Sequence, residues 1–165
     1  MPSDPSPAAA GEPDEAEIAS RISESIASLV PHNRALGIRF VECRDNKVTL
    51  GLPYHEKLVG NPLTGVIHGG AITTLADATC GTAVFVKLRL PVPIATLDLR
   101  IDYLKPARPK EEIFARADCF KVTQNVAFVR CEAFHPGAEQ DLVAVANGTF
   151  MIFRGKGGGG RGKTL

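Results

Sequence analysis

The sequence predicts an α+β fold in which an antiparallel β-sheet wraps around one long central helix, with a further helix before the sheet. Two observations lead to this class. Residues 70–88 have small or apolar side chains on nearly every face of a helix, which is typical of a helix buried on most sides. The segments around them alternate between apolar and polar side chains as strands do, and short turns join the later ones, which favours antiparallel pairing.

Composition and charge limit the classes of function. The chain has 165 residues, enough for one domain with a sizeable core, and is 44% hydrophobic and 22% charged. Its net charge of +1 indicates neither a nucleic-acid partner nor an anionic membrane. We recognise no secretory signal and no apolar run of membrane-span length, so we expect a cytoplasmic protein with no membrane partner. No C-x-x-C pair occurs, so we expect free, buried thiols at Cys43, Cys80, Cys119 and Cys131.

A single domain is predicted over residues 14–154. Residues 1–13 are rich in Pro, Ala, Ser and Gly, and residues 155–165 form a basic glycine-rich tail, so we expect both ends to be disordered. The domain should begin with an amphipathic helix that Asp14 caps and Pro31 ends. Its apolar face is predicted from the helical spacing of Ile18, Ile22, Ile26 and Leu29.

Two strands should follow, over residues 36–43 and 47–52, joined by a hairpin turn at Asp45-Asn46. A loop rich in Pro and Gly is expected from Pro53 to Gly65, before the central helix.

After the central helix the sequence predicts four strands in a meander. Residues 95–107 form the first strand, and its apolar face should carry Leu97, Leu99, Ile101 and Tyr103, with Tyr103 in the core. Its polar face should carry Thr96, Asp98, Arg100 and Asp102. Turns at Gln124-Asn125 and Pro136-Gly137 separate the remaining strands.

The stretch GNPLTGVIHGGAITTLADATCGTAV, residues 60–84, carries the candidate chemistry. His68, Gly69 and Gly70 stand at the start of the central helix, where the first N–H groups have no partner within the helix and the helix dipole is positive. Such an end is able to hold the oxygen of a polarised carbonyl. An equally compatible interpretation is that the glycines only permit close packing of the helix on the sheet.

Asp77 lies within the apolar helix, seven residues beyond Gly70. A buried carboxylate is costly unless it is paired, and aspartate is a poor residue for a helix interior, so a functional reason is favoured. The alternative is a purely structural one, in which Asp77 makes a hydrogen bond to a nearby threonine or is exposed to solvent. Because seven residues span about 10 Å of helix, Asp77 does not reach a carbonyl held at the tip of its own helix. If both groups act on one substrate, they must come from two subunits of a symmetric dimer.

The motif NPLTGVIHGGAITTLAD closely resembles that of the hotdog-fold acyl-CoA thioesterases, specifically the phenylacetate-pathway (PaaI-like) type of the 4-hydroxybenzoyl-CoA thioesterase superfamily. The strands ATLDLRIDYLKPA and LVAVANGTFMIF resemble the family as well, and the resemblance covers residues 35–153. It implies a hotdog fold, an acyl- or aryl-acyl-CoA substrate that is hydrolysed to free acid and CoA, and a homodimer that pairs into a homotetramer.

The resemblance also implies roles for individual residues. Asp77 would be the nucleophile or the general base, and the N–H of Gly70 from the other subunit would polarise the thioester carbonyl. Asn61 would lie near the carbonyl or the water, His68 would orient the loop, and Thr96 would hold the attacking water. Gly69 belongs to the same substrate-binding turn. Candidates for the CoA phosphates are Lys105, Arg108, Lys121 and Arg154, although TQN (residues 123–125) replaces a Gly-Arg turn common in relatives.

No metal or cofactor is expected, since His32, His55 and His135 stand apart and CoA is part of the substrate. Two other functions stay open at this stage. A hotdog enoyl-CoA hydratase or dehydratase would need a catalytic His paired with an acid or Asn, which His68 before two glycines fits poorly. A non-catalytic acyl-CoA-binding module would have no need of Asp77 in an apolar helix.

Overall fold

The computed structural model describes residues 29–89 and 92–154, together with Glu17, Arg21 and Ser25. Glu17, Arg21, Ser25 and Leu29 are helical at intervals of one turn, as the N-terminal helix prediction requires. The predicted cap Asp14, the apolar positions Ile18, Ile22 and Ile26, and the two predicted tails, 1–13 and 155–165, lie outside the described residues.

Pro31 begins a helix as well as ending one, which the sequence interpretation did not foresee. Val30 has extended backbone angles, and Pro31 is the first residue of helix α1, Pro31–Leu36. Proline suits this position because its fixed φ matches the helix and its missing N–H would have no partner there. Gly37 closes α1 in the left-handed region at φ 76°.

The remaining elements follow the order that the fold class predicts. Two strands come first, then a 3₁₀ turn at Glu56–Leu58 and two short strands, then the central helix α2, Gly69–Leu88, and four long strands. In chain order the strands are β1 Arg39–Arg44, β2 Lys47–Leu52, β3 Val59–Asn61, β4 Val66–Ile67, β5 Ile94–Tyr103, β6 Ile113–Val122, β7 Val126–Phe134 and β8 Ala144–Ile152.

Local turn chemistry confirms one prediction and corrects another. Asp45 and Asn46 have φ of 51° and 60°, so they form the predicted tight turn between β1 and β2, in the mirror-image geometry that suits a hairpin. The predicted loop from Pro53 to Gly65 is wrong in part, because it contains the 3₁₀ turn and strand β3, which pairs with β4.

The main sheet has six antiparallel strands in the order β1-β2-β6-β7-β8-β5. The predicted meander of four strands is therefore wrong for its first member, because β5 pairs with β8 and not with β6. The chain between β5 and β6 contains Pro106 and Pro109 and makes no tight hairpin, so it carries the chain to the opposite side of the β6–β7–β8 meander.

A bulge in β5 overturns the predicted alternation of that strand. Thr96 is opposite Phe150 and Asp98 is opposite Thr149, so Leu97 is the extra residue. Thr96 consequently shares the helix-facing side with Leu99, on the side opposite Asp98, although simple alternation places Thr96 and Asp98 together. The bulge is what turns the Thr96 hydroxyl toward α2.

Helix α2 lies against the inner face of the sheet, where small side chains allow close approach. Leu75, Cys80, Ala83 and Val84 of the helix are fully buried. The facing positions on β6, β7 and β8 include the buried alanines Ala115, Ala117, Ala127, Ala133, Ala144 and Ala146. By length and composition α2 does qualify as a candidate membrane span, contrary to our expectation, but 56% of its apolar stretch is buried within the fold.

None of the four cysteines forms a disulfide, and Cys80, Cys119 and Cys131 are buried while Cys43 is half-buried. Burial raises the pKa of Cys119 to about 11, and a hydrogen bond with Cys131 together with burial raises the pKa of Cys80. The prediction of buried thiols is therefore confirmed for three of the four.

We expect these buried thiols to resist alkylation in the native protein. A pKa of about 11 at Cys119 lowers the thiolate fraction near pH 8 about a hundredfold relative to an ordinary thiol. Because this pKa is raised on folding, the stability linked to it is complete below about pH 8.5 and is lost as the pH rises toward about 11. Iodoacetamide labelling followed by mass spectrometry, with and without urea, tests the first point, and urea midpoints across this pH range test the second. Native labelling of Cys119 as fast as that of half-buried Cys43 would contradict the prediction.

Candidate active site

The candidate site centres on Asp77, in the middle of α2. The hydroxyl of Thr96 donates a hydrogen bond of 2.9 Å to Asp77 Oδ1, so the bulged strand β5 holds the carboxylate in place. This pairing leaves the second carboxylate oxygen available to a substrate or a water molecule.

Asp77 faces an open cleft of about 290 Å³ between α2, α1 and β5. The expectation of a buried acid needs correction, because in the single chain Asp77 is half-buried. The cleft explains how the helix tolerates the carboxylate, since an acid that borders an opening keeps part of its hydration. The cleft continues from Asp77 past Gly81 toward Phe85.

The start of α2 is built by His68, which caps it. Its Nδ1 accepts a hydrogen bond of 2.9 Å from the Gly70 N–H. The ring nitrogen that accepts carries no proton, so in the neutral ring the proton resides on Nε2. The Gly70 N–H is thus already occupied, which argues against the carbonyl-polarising role that the resemblance assigned to it.

The Gly69 N–H is the better candidate for a carbonyl-binding group. As the first amide of α2 it has no acceptor within the helix. No hydrogen bond from this N–H is found among the residues that the structure describes. An added Cβ at Gly69 would lie 3.0 Å from the Tyr103 Oη, so a larger residue here would displace the tyrosine hydroxyl.

Tyr103 supports this turn in a way that the sequence interpretation missed. Its hydroxyl donates a hydrogen bond of 2.7 Å to the Gly69 carbonyl and lies 2.6 Å from Thr73 Oγ1, which is itself 3.1 Å from that carbonyl oxygen. We expected Tyr103 in the core, but its side chain is 48% exposed at the end of β5. A tyrosine at the end of an edge strand gives no sequence signal of such a role.

His32 and Thr74 join the Asp77 cleft to the helix start. A second cavity of about 380 Å³ is lined by His68 and Gly70. His32 and Thr74 line this cavity as well as the Asp77 cleft. His32 Nε2 lies 3.5 Å from Thr74 Oγ1. No sequence motif singled out His32, because helix α1 is what brings it here.

Asn61 is not brought to the Asp77 cleft within one chain. Its Oδ1 accepts a hydrogen bond of 3.0 Å from the Leu63 N–H, and its carbonyl accepts one of 2.9 Å from the Gly65 N–H. Asn61 therefore shapes the exposed β3–β4 turn, and any contact with substrate would have to come from another subunit. Among the described residues, no cluster of three or more His, Cys, Asp or Glu side chains could hold a metal ion.

Comparison with known proteins decides the family. The family profile described as "Thioesterase superfamily" matches residues 64–141, which include the helix start and Asp77. A relative from Halobacterium salinarum, whose name gives it a provisional esterase assignment, is 37% identical over 126 residues, or 72% of this chain and 82% of the relative. The chain belongs to the thioesterase superfamily. It is an enzyme of the thioester hydrolase class at the level of that family, as predicted.

Other members of the superfamily agree with this placement. The medium/long-chain acyl-CoA thioesterase YigI of Escherichia coli K12 is 28% identical over 144 residues, 79% of this chain and 91% of the relative. A crystal structure from Pseudomonas aeruginosa superposes with a TM-score of 0.72 at 39% identity, covering 81% of this chain and 98% of the other. PaaI from Thermus thermophilus, a phenylacetic acid degradation protein, superposes with a TM-score of 0.64 at 25% identity, covering 75% and 100%. The predicted hotdog fold and the PaaI-like resemblance are confirmed.

The four basic residues predicted to bind CoA phosphates fall into two groups at opposite ends of the thioesterase sheet. Arg108 lies where β7 ends, because its N–H donates to His135, and Lys105 pairs with Asp141, whose pKa it lowers. At the other end Arg154 donates to the Gln124 carbonyl in the β6–β7 turn, and Lys121 precedes that turn. The lengths of β6 and β7 separate the groups, so one chain does not gather all four around one nucleotide.

Proposed function

We propose that this thioesterase hydrolyses the thioester of an acyl-CoA to the free acid and CoA. The observation that carries the proposal is the Asp77 carboxylate, held by Thr96 in an open cleft on the central helix. The name of the E. coli relative, a medium/long-chain acyl-CoA thioesterase, supports the same substrate class. No cofactor is needed, and we place the reaction in the cytoplasm.

Asp77 supplies the base or the nucleophile. As a base it takes a proton from water, whose oxygen bonds to the thioester carbon, and the C–S bond then breaks to release CoA as its thiolate. As a nucleophile its oxygen bonds to the same carbon while the C–S bond breaks and CoA leaves as its thiolate, and water afterwards cleaves the mixed anhydride to the free acid and the Asp77 carboxylate. Thr96 fixes one carboxylate oxygen in both routes, so the other oxygen points at the reacting centre. In the base route the proton that Asp77 took from water goes to the leaving thiolate, and in the nucleophilic route the water that cleaves the anhydride supplies that proton.

The carbonyl oxygen is polarised by the start of α2 from a second subunit. Within one chain the Gly69 N–H and Asp77 are separated by about 12 Å of helix, too far for one carbonyl group. The Gly69 N–H takes the role first assigned to Gly70, because the latter donates to His68. His68 Nε2 is then a second donor at the same edge.

A dimer is therefore part of the proposed function. Strand β5 is an edge of the sheet and exposes Leu97 and Tyr103, and Leu104 directly after the strand is exposed as well. Pairing at this edge would bring the Asp77–Thr96 pair near a neighbouring helix start. A tetramer formed from two such dimers follows from the family resemblance.

The test is a panel of aliphatic and aryl acyl-CoAs with release of free thiol as the readout. We expect turnover of at least one class, and turnover of none would contradict the proposal. Tight acyl-CoA binding without thiol release would instead favour the binding module. Water addition to an enoyl-CoA would favour the hydratase.

We expect Tyr103→Phe to lower kcat about tenfold and to leave the fold intact. Loss of the hydroxyl removes the hydrogen bond to the Gly69 carbonyl and loosens the carbonyl-polarising turn, an effect worth about 1.4 kcal/mol. Tyr54→Phe is a matched control, because the Tyr54 hydroxyl also donates to a backbone carbonyl, that of Gly65, at 3.2 Å. Equal kcat losses in the two variants would contradict the role of Tyr103.

A further inference from the structure

Gly81 lies on α2 one turn after Asp77 and on the same side, where the cleft continues. We propose that the cleft beyond Asp77 holds the acyl chain, that the preferred acyl group is unbranched and aliphatic, and that Gly81 determines this selectivity. The inference rests on the proposed thioesterase function and names the acyl group that the same site accepts.

The fold itself does not require glycine at position 81. A Cβ added there would meet Ile94 Cδ1 at 3.7 Å and Phe150 Cε1 at 3.8 Å, which are ordinary van der Waals contacts. Gly81 is also absent from the glycines with positive φ. Every other glycine in the described part of the chain has either a positive φ or a Cβ contact of 3.0 Å or less.

Helix stability argues against glycine at this position. In a helix interior glycine is less favourable than alanine by about 1 kcal/mol. The helix therefore gives up stability at a place where alanine would fit. The space that this leaves opens into the Asp77 cleft between α2 and the β5–β8 side of the sheet, so a ligand is the direct reason for it.

The walls of this space suit a hydrocarbon. The Thr96 hydroxyl is engaged by Asp77, and the Thr82 hydroxyl donates to the Ala78 carbonyl at 2.7 Å, so neither offers a free polar group. Farther along, the walls are Phe85, Ile94 and Phe150. Among the residues that the structure describes, Asp77 is the one Asp, Glu, Lys or Arg side chain that lines the cleft.

The dimensions favour a chain over a ring. From Asp77 to Phe85 the helix rises about 12 Å, which matches about ten carbons of an extended chain with bonds of about 1.5 Å. At about 290 Å³ the cleft is at the small end of ligand cavities. The absence of a side chain at Gly81 adds space of about one methyl group. An alkyl chain fits through so narrow a space more easily than an aryl ring does.

The test compares the wild type with Gly81→Ala and Gly81→Leu on butyryl-, octanoyl-, decanoyl-, palmitoyl- and phenylacetyl-CoA. For the wild type we expect the highest kcat/KM with octanoyl- or decanoyl-CoA. Gly81→Ala should lower kcat/KM for decanoyl-CoA at least about tenfold, with a smaller loss for butyryl-CoA, and should raise the melting temperature. Gly81→Leu should deepen the loss for long chains. Lys87→Ala, a change at an exposed position of the same helix, serves as the control. It should alter neither the kcat/KM values nor the preferred chain length.

Several results would overturn the inference while leaving the thioesterase proposal standing. One is a wild type that prefers phenylacetyl-CoA. Another is an equal loss for all chain lengths in the Gly81 variants, above all if size-exclusion chromatography shows a changed oligomer, because that result assigns the glycine to subunit contact. If the wild type hydrolyses no acyl-CoA, the proposed function itself is contradicted. That outcome differs from the two above, in which the wild type still hydrolyses acyl-CoA.

Discussion

Asp77→Asn is expected to lower kcat about a thousandfold and to change KM little. Asparagine has nearly the same shape, and its carbonyl oxygen still accepts the hydrogen bond from Thr96 that now holds the carboxylate. It has no negative charge and is neither a base nor a nucleophile, so only the chemical step suffers. A thousandfold loss corresponds to about 4 kcal/mol in the activation barrier.

Thiol release under saturating acyl-CoA measures this effect, and circular dichroism checks the fold of the variant. Asp98→Asn is the matched control, because Asp98 is an exposed aspartate on the outward face of the same strand as Thr96. We expect Asp98→Asn to keep the wild-type rate. An Asp77→Asn enzyme with full kcat would refute the assigned chemistry and would leave the family membership untouched.

The second large effect concerns stability and comes from His135, which the sequence left as an isolated histidine. It is 1% exposed, its Nε2 accepts a hydrogen bond of 2.9 Å from the Arg108 N–H, and its Nδ1 lies 2.8 Å from the Glu112 carbonyl oxygen. Through these two hydrogen bonds the ring links the connection between β5 and β6 to the end of β7. Since Nε2 accepts, Nδ1 carries the proton and donates to Glu112.

His135→Phe should destabilise the protein by about 3 kcal/mol. The ring volume is kept, but the Arg108 N–H and the Glu112 carbonyl lose their partner, and each buried unsatisfied group costs about 1–3 kcal/mol. The melting temperature should fall by about 6–12 °C. His55→Phe is the control, because His55 is exposed and its ring accepts a hydrogen bond from the Lys57 N–H, two residues away. Similar melting temperatures for the two variants would show that His135 contributes nothing special.

Local sequence signals were sufficient for most of the fold and for the reactive acid. The apolar surface of residues 70–88 predicted the central helix, and positive-φ residue types predicted the turn at Asp45-Asn46, because both depend on neighbours along the chain. Asp77 stood out since an acid in an apolar helix needs a reason, and the helix-start glycines suggested a carbonyl-binding site.

What could not be predicted depends on contacts between distant segments. The pairing of β5 with β8 and the bulge at Leu97 are set by the partner strand, so the direction of Thr96 was assigned to the wrong face. The hydrogen bond from the Gly70 N–H to His68 depends on the side-chain rotamer of His68, which the sequence does not specify. Tyr103 looked like a core residue because its apolar neighbours alternate correctly, and only the end of an edge strand brings it to Gly69.

The position of β5 has a consequence for how the enzyme is made. Strand β5 has β8 as its neighbour in the sheet, and Ile94 is opposite Ile152 near the end of the described chain. During synthesis β5 is made well before β8, so β5 has no partner strand while β6 and β7 are being made. Such long-range pairing is slow to form, and the nascent edge is exposed to other chains meanwhile. The acid and its threonine are consequently aligned only after β8 has joined the sheet, so no activity is expected before that strand has been made.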